Sequence, residues 1–421
     1  MKRKKSVLLS VLSGILTASL LVGCGASKGG GTDTPKADDA STSKQEETVT
    51  IWHDGDEAIM DNIADTVNKE LAADHVSVKF EKKTGLTDQL KLYGSDETDG
   101  PDMYLYAHDS LGMLAEMGIL APVTDFISPD DEKDLLPMTV EAGTYKGVQY
   151  VLPLYYETLL FIYNKDLWKG DIPKTTDDLL TYMKENTDTA AGTYAVVNQH
   201  STAYNVAPVI NGFGGYILDK DAKPGLNDEN TIKAVEYNKQ FAELMGAGDY
   251  DTCNTLFNEK KAAAIIGGPW MVSGIKDAGI NYGIRSLADF TLPNGNSLAP
   301  YSGVQGVGVL KYAEDNKKGA ISSVLKALCS KDIGIALAKG SNCAPASQAS
   351  YEDNEVASND MIMAMKKTAE TAQPMPNIVQ MSVMWQPAES MLAEINKSDE
   401  DIKAAAEKYQ EQAETAIKDM Q

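Results

Sequence analysis

Residues 48–80 read TVTIWHDGDEAIMDNIADTVNKELAADHVSVKF, and this stretch decides the fold class. Thr48 to Trp52 alternates apolar with polar residues, as a half-buried strand does. Gly55-Asp56 breaks that period, and from there Ile59, Ile63, Val67 and Leu71 recur at the spacing of one helix face. Asp56 stands where a carboxylate accepts hydrogen bonds from the unpaired N–H groups of a first helical turn, so it is the expected N-cap. Val76 to Phe80 returns to the strand period. Strand, helix and strand in this order imply an α/β domain with a largely parallel sheet.

The alternation continues outward. Asp102 to Ala107 is a third strand, followed by a helical pattern through Leu111, Leu114 and Met117. Leu159 to Tyr163, Tyr194 to Asn198, Ala262 to Ile266, Tyr282 to Leu287 and Gly303 to Leu310 read as further strands. Helical patterns lie between them: Thr175 to Met183, a stretch leading to Asn211, the series Ala234, Tyr237, Phe241 and Leu244, and one opened by Pro269-Trp270. Lys318 to Leu328 begins a mostly helical C-terminal part. With 421 residues the chain has length for two domains of ordinary size.

Upstream of the first strand the sequence changes character. Lys2-Arg3-Lys4-Lys5 precedes an apolar run from Val7 to Val22, the layout of a signal sequence. The run ends in Leu21-Val22-Gly23-Cys24, which resembles a bacterial lipobox, whose cysteine is diacylated and becomes the mature N-terminus. A plain secretory signal or a transmembrane anchor is the alternative. Two acyl chains bury enough methylenes for stable anchoring. Residues 1–23 are therefore expected to be a signal peptide, and residues 24–47 a lipidated Cys24 with a tether of Gly, Ser, Thr, Lys and Asp that has no large apolar residue to bury. The expected location is the outer face of the cytoplasmic membrane, held by the lipid.

Acidic residues outnumber basic ones by 61 to 38, for a net charge of -23. That argues against nucleic acid, whose binding depends on neutralising phosphates with Lys and Arg, and favours a neutral ligand. No phosphate-binding Gly-x-x-x-x-Gly-Lys-Ser/Thr, His-Glu-x-x-His or Gly-x-Ser-x-Gly segment is present. Gly303, Gly306 and Gly308 lie in an apolar strand pattern and are better explained by close packing. His53, His75, His108 and His200 are scattered singly, so no metal and no cofactor is expected. Cys253, Cys329 and Cys343 are odd in number; Cys329 with Cys343 is a possible bridge, three free thiols the other reading.

Aromatic rings and carboxylates or amides are interleaved in five segments placed at the carboxyl ends of the expected strands, where open α/β sheets bind ligands. These are Trp52 to Asp56, Tyr104 to Asp109, Tyr155-Tyr156-Glu157, Gly268-Pro269-Trp270 and Met384-Trp385-Gln386. A pyranose ring explains the mixture: its C–H face lies on an aromatic ring, and its hydroxyl rim donates to carboxylates in charge-assisted geometry.

From about Thr48 onward the chain resembles the maltose/maltodextrin-binding proteins of ABC importers. Four segments carry the resemblance: Tyr106-Ala107-His108-Asp109, Ile162-Tyr163-Asn164-Lys165-Asp166-Leu167, Gly268-Pro269-Trp270, and Met375-Pro376-Asn377-Ile378 through Gln380-Met381-Ser382 to Trp385. The resemblance implies a two-lobe periplasmic-binding-protein-like fold with a hinge and an interlobe ligand cleft. Residues 48–155 plus 301–352 would form the N-terminal lobe, and 156–300 plus 353–421 the C-terminal lobe. Carried over residue by residue, it implies that Asp56, Asp109 and Glu157 accept hydrogen bonds from a maltodextrin. Tyr204, Trp270 and Trp385 would supply the stacking surface, with Tyr106 where the family usually has tryptophan. The implied partners are the transmembrane permease subunits, and the implied state is a monomer without enzymatic activity.

Glu57, Ser110 and a position near Glu389 stand where the family has cations, and Thr202 where it has a glutamate, so the cleft is expected to hold its sugar differently. A galacto- or xylo-oligosaccharide is the alternative ligand. A secreted glycoside hydrolase, with Asp109 and Glu157 as its acid and base, is the enzyme alternative.

Overall fold

The computed structural model describes residues 46–245, 248–397 and 401–420. The signal peptide, Cys24 and nearly all of the tether lie outside the described residues. The first strand, β1 (Glu47–His53), starts one residue earlier than the period suggests.

α1 (Glu57–Leu71) begins where expected, with the Asp56 carboxylate accepting from the Ala58 N–H at 2.8 Å. Its buried face is Met60, Ile63, Val67 and Leu71; Ile59 is only half-buried. Each such apolar side chain contributes roughly 1.5–3 kcal/mol on full burial. That face packs on Val49 and Ile51 of β1 and on Val324, Leu325 and Leu337 from two helices far along the chain, so this core closes only when the C-terminal half returns.

β2 (Val76–Lys82) and β3 (Met103–Ala107) lie on either side of β1, both parallel to it. The sheet is nonetheless mixed, which corrects the expectation of a largely parallel one. β4 (Val151–Thr158) is a strand that the sequence pattern does not announce, because it is apolar on both faces and buried along nearly its whole length. It pairs antiparallel with the long β9 (Tyr301–Leu310), which in turn runs antiparallel to β3. Gly306 and Gly308 permit this contact: a Cβ at Gly308 would stand 2.3 Å from the Tyr104 ring, and one at Gly306 2.4 Å from Val151. Close packing does not explain Gly303, which has open space beside it.

The second sheet contains β5 (Leu160–Asn164), β6 (Tyr194–Val197), β7 (Ala262–Gly267) and β8 (Tyr282–Ser286), in the order β8-β5-β7-β6. It is mixed as well: β7 runs parallel to β6 and antiparallel to β5. Its core is rich in rings, with Phe161 in edge contact with Trp168 at 5.4 Å and packed on Phe290 at 5.1 Å. α2 (Ala203–Gly212), α3 (Glu229–Ala242), α4 (Val272–Asp277), α5 (Trp385–Lys397) and α6 (Ile402–Asp419) belong to this half.

The chain passes from β4 in the first sheet to β5 in the second through one buried residue, Leu159. It returns to the first sheet at Tyr301 and meets it again where Gln373–Pro374 pairs with β9. His108 binds these passages together. Its Nδ1 accepts from the Val304 N–H at 3.1 Å and its Nε2–H donates to the Met375 carbonyl at 2.9 Å. An acceptor at Nδ1 and a donor at Nε2 require the neutral ring, and burial lowers its pKa accordingly. Residues Gln45–Gln421 form one compact unit. Among the described residues no helix is long and apolar enough to cross a membrane.

Candidate sugar-binding cavity

The residues that follow β1, β3, β6 and β7 all leave the carboxyl ends of their strands, as the sequence implies. Between the two sheets, those after β1 and β7 border a cavity of about 570 Å³, within the usual range for small-molecule sites. Asp56, Ile59, Tyr155, Glu157 and Gln305 line it from the first sheet's side; Trp270, Ser273 and Lys276 line it from the second.

β4 and β9 fix the first wall. Their register sets Glu157 opposite Gly303 and Tyr155 opposite Gln305, so all four share one face. With no side chain at Gly303, the space beside Glu157 stays open. Burial pushes the Glu157 carboxyl above the usual carboxylate range. Asp56 caps α1 with one carboxylate oxygen at the cavity's edge. Tyr155 lies near Cys343, Glu157, Asp54 and Asp56; burial first, then these neighbours in that order, raise its hydroxyl well above the ordinary phenol range.

Asp54 links this wall to a second group. Partial withdrawal from water, with the Asp109 charge adding to it, raises the Asp54 carboxyl, and both charges add to burial in raising the Tyr106 phenol. Tyr106 and Asp109 are thus neighbours of Asp54, although they do not line the cavity itself.

The second wall is aromatic. Trp270 sits in a short 3-10 turn, Pro269–Met271, that leads into α4, and its ring is 43% exposed, an unusual exposure for the largest apolar side chain unless something covers it. Tyr204, near the start of α2, meets it at a centroid distance of 6.4 Å, and burial together with the Glu157 charge raises the Tyr204 hydroxyl. Trp385 is placed differently from expectation: it follows a 3-10 turn and opens α5, not the end of a strand. It rests half-buried on the same core as Tyr204 and does not line the cavity.

Gln305, Ser273, Lys276 and the stretch Gly340 to Cys343 also line the cavity and escaped the sequence reading. Ser273 and Lys276, three apart on α4 and following Trp270 at the same spacing, share a side of that helix that the sequence could have marked. Gln305, polar within an apolar strand, was also legible; the stretch from Gly340 carries no such signal. Cys253, Cys329 and Cys343 are all free thiols, which settles the pairing question. Burial pushes Cys253 and Cys329 up to about 12, far from the thiolate state that reacts. Among the described residues no group of His, Cys, Asp and Glu is arranged to hold a metal ion.

A fold of two α/β lobes with a cavity between them, lined by carboxylates and rings, defines a solute-binding class. Residues 62–364 match the family model described as bacterial extracellular solute-binding protein, and the chain belongs to that family. Its relatives include a maltooligosaccharide ABC transporter solute-binding lipoprotein of Streptococcus pneumoniae, 33% identical over 94% of this chain and 94% of that one. A maltotriose-binding protein of Pyrococcus abyssi is 29% identical over 89% of this chain and 82% of its own. The two-lobe fold is shared with a crystal structure of a cyclo/maltodextrin-binding protein complexed with maltotetraose, at a TM-score of 0.80 and 23% identity over 90% of this chain and 98% of that one.

Proposed function

We propose that this protein captures maltodextrins in the cleft between its lobes and delivers them to the transmembrane subunits of an ABC importer. The observation that carries this reading is the cavity in which Asp56 and Glu157 face the exposed ring of Trp270. Carboxylates take hydroxyl hydrogens while the ring takes the C–H face, the two halves of a pyranose surface. Tyr204 and Trp385 extend the stacking surface, and Asp109 and Tyr106 meet the sugar further along the first lobe. The names of the relatives support an α-glucan over other neutral oligosaccharides.

The lobes are taken as 48–155 plus 301–352 and 156–300 plus 353–421, closing about the passages that His108 ties together. Cys24 carries the lipid that keeps the protein, a monomer, at the outer face of the cytoplasmic membrane, in keeping with the lipoprotein relative. The protein releases its sugar unchanged.

Calorimetric titration of residues 45–421 with maltotriose, against a β-galacto-oligosaccharide of equal length, tests the reading. Saturable binding of maltotriose alone is the expected result. Binding of the comparison sugar alone reassigns the substrate, and cleavage of maltoheptaose on incubation replaces the binding protein with a hydrolase. Cys24→Ser is expected to move the protein from the membrane to the soluble fraction.

A further inference from the structure

Sugar hydroxyls both donate and accept hydrogen bonds, whereas ionised carboxylates only accept. Asp56 and Glu157 therefore satisfy the hydrogens of a bound ring and leave its oxygen lone pairs without donors once water is excluded. Two side chains on the cavity wall have donors to offer. Lys276 lies on α4, one turn beyond Ser273 and two beyond Trp270, and is the single cation among the described residues that line the cavity. Gln305 lies on β9, across the pair from Tyr155 and diagonal to Glu157 on the same face. Among the described residues neither the Lys276 ammonium nor the Gln305 amide has a hydrogen-bond or ion-pair partner, and neither does the Glu157 carboxylate beside them. An ammonium on the rim of an acid-lined cavity and a half-buried amide that bonds to nothing in the protein are both placed to serve something that enters.

We propose that Lys276 and Gln305 are the donors that read the hydroxyl oxygens of the bound sugar, and that they set which neutral oligosaccharide the cavity accepts. This rests on the sugar-binding reading above and extends it. The division of labour is geometric: Gln305 presents donor and acceptor together from the rigid sheet, next to Glu157, while Lys276 reaches in from the opposite wall beside the ring of Trp270. Because the two come from different lobes, a sugar joins them only when both walls close on it. A hydroxyl turned from equatorial to axial at that end would leave one of these groups unpaired in a desolvated site, which is how a polar contact discriminates among sugars of equal size.

The test is titration of residues 45–421 carrying Lys276→Met, Gln305→Leu or both, with maltotriose, cellotriose and β-galactotriose as probes and the free protein's thermal midpoint as a control. Each single variant is expected to weaken the preferred trisaccharide about tenfold, the scale of one lost hydrogen bond to a charged or buried group. The other sugars should weaken less, so that the preference narrows while the thermal midpoint stays unchanged. Lys276→Arg should keep most of the affinity. Wild-type affinities and preference in both variants would overturn the proposal and leave the sugar-binding reading intact; equal weakening for every sugar would remove their discriminating role and overturn it too. A wild-type protein that binds none of the three trisaccharides would sink both.

Discussion

On the first sheet's side of the cavity, Asp56 and Glu157 are held by backbone: one caps a helix, the other rides a strand pair. On the second sheet's side, Trp270 sits in a 3-10 turn, and Tyr204 rides near the start of α2, whose approach is held by a buried polar network. There, the His200 Nδ1–H donates to Asn238 Oδ1 at 2.8 Å, and the His200 carbonyl accepts from Asn238 and Asn396 at 3.1 and 2.8 Å. That one loop thus ties α3 and α5 to the approach to α2, which carries Tyr204. The contrast teaches that backbone fixes the charged wall, by a helix cap at Asp56 and a strand pair at Glu157, whereas side-chain hydrogen bonds between distant elements hold the helix start that carries Tyr204.

Acid should separate the two most strongly. Burial depresses His200 from 6.5 to about 4, so between those values the unfolded chain binds a proton that the folded chain refuses. Its contribution is complete above pH 6.5 and is lost as pH falls toward 4, about 3 kcal/mol in all. His108, lowered in the same direction, adds to the loss. Urea unfolding at pH 7 and pH 4 checks this, with His200→Gln expected to show a shallower decline; the same decline in both proteins would mean the network does not stabilise the second wall.

Trp270→Ala comes next. Loss of its exposed ring should weaken maltotriose by roughly 1–3 kcal/mol, as for aromatic anchors at other interfaces, with little change in stability because the ring is not core. An unchanged isotherm would place the sugar elsewhere. Glu157→Gln should cost about 1 kcal/mol of affinity, the difference between a charged and a neutral acceptor. Its raised pKa also means that the wild-type contact weakens on acidification before an ordinary carboxylate would, a pH dependence that Glu157→Gln should remove. Asp56→Asn should be the mildest: asparagine caps a helix as well as aspartate, so stability should stay within about a few tenths of a kcal/mol while maltotriose affinity drops. A fall in melting temperature without a fall in affinity would make Asp56 a cap and nothing more.

Much of the first wall was legible beforehand. The period change at Gly55-Asp56 located α1 and its cap, and the apolar run from Gly303 to Leu310 located β9, because both signals are local, whereas β4, apolar on both faces, gave none. Even Met60 replacing Ile59 on the buried face of α1 is a shift of one position within a correctly read helix.

What the sequence determined by itself was the set of α/β elements, the acidic balance that suits a neutral ligand, and the residue types a sugar would need. Tertiary structure alone decided that the sheets are mixed, since strand direction depends on where the chain re-enters a sheet, and β9 re-enters the first after the chain has passed through the second. It also decided that Gln305 on β9 and Lys276 on α4 face the same space as Glu157 and Trp270, while Trp385 stands back from it. Periodicity records which face of an element is buried; it carries no information on which distant element shares that face, and a binding cavity consists of such juxtapositions.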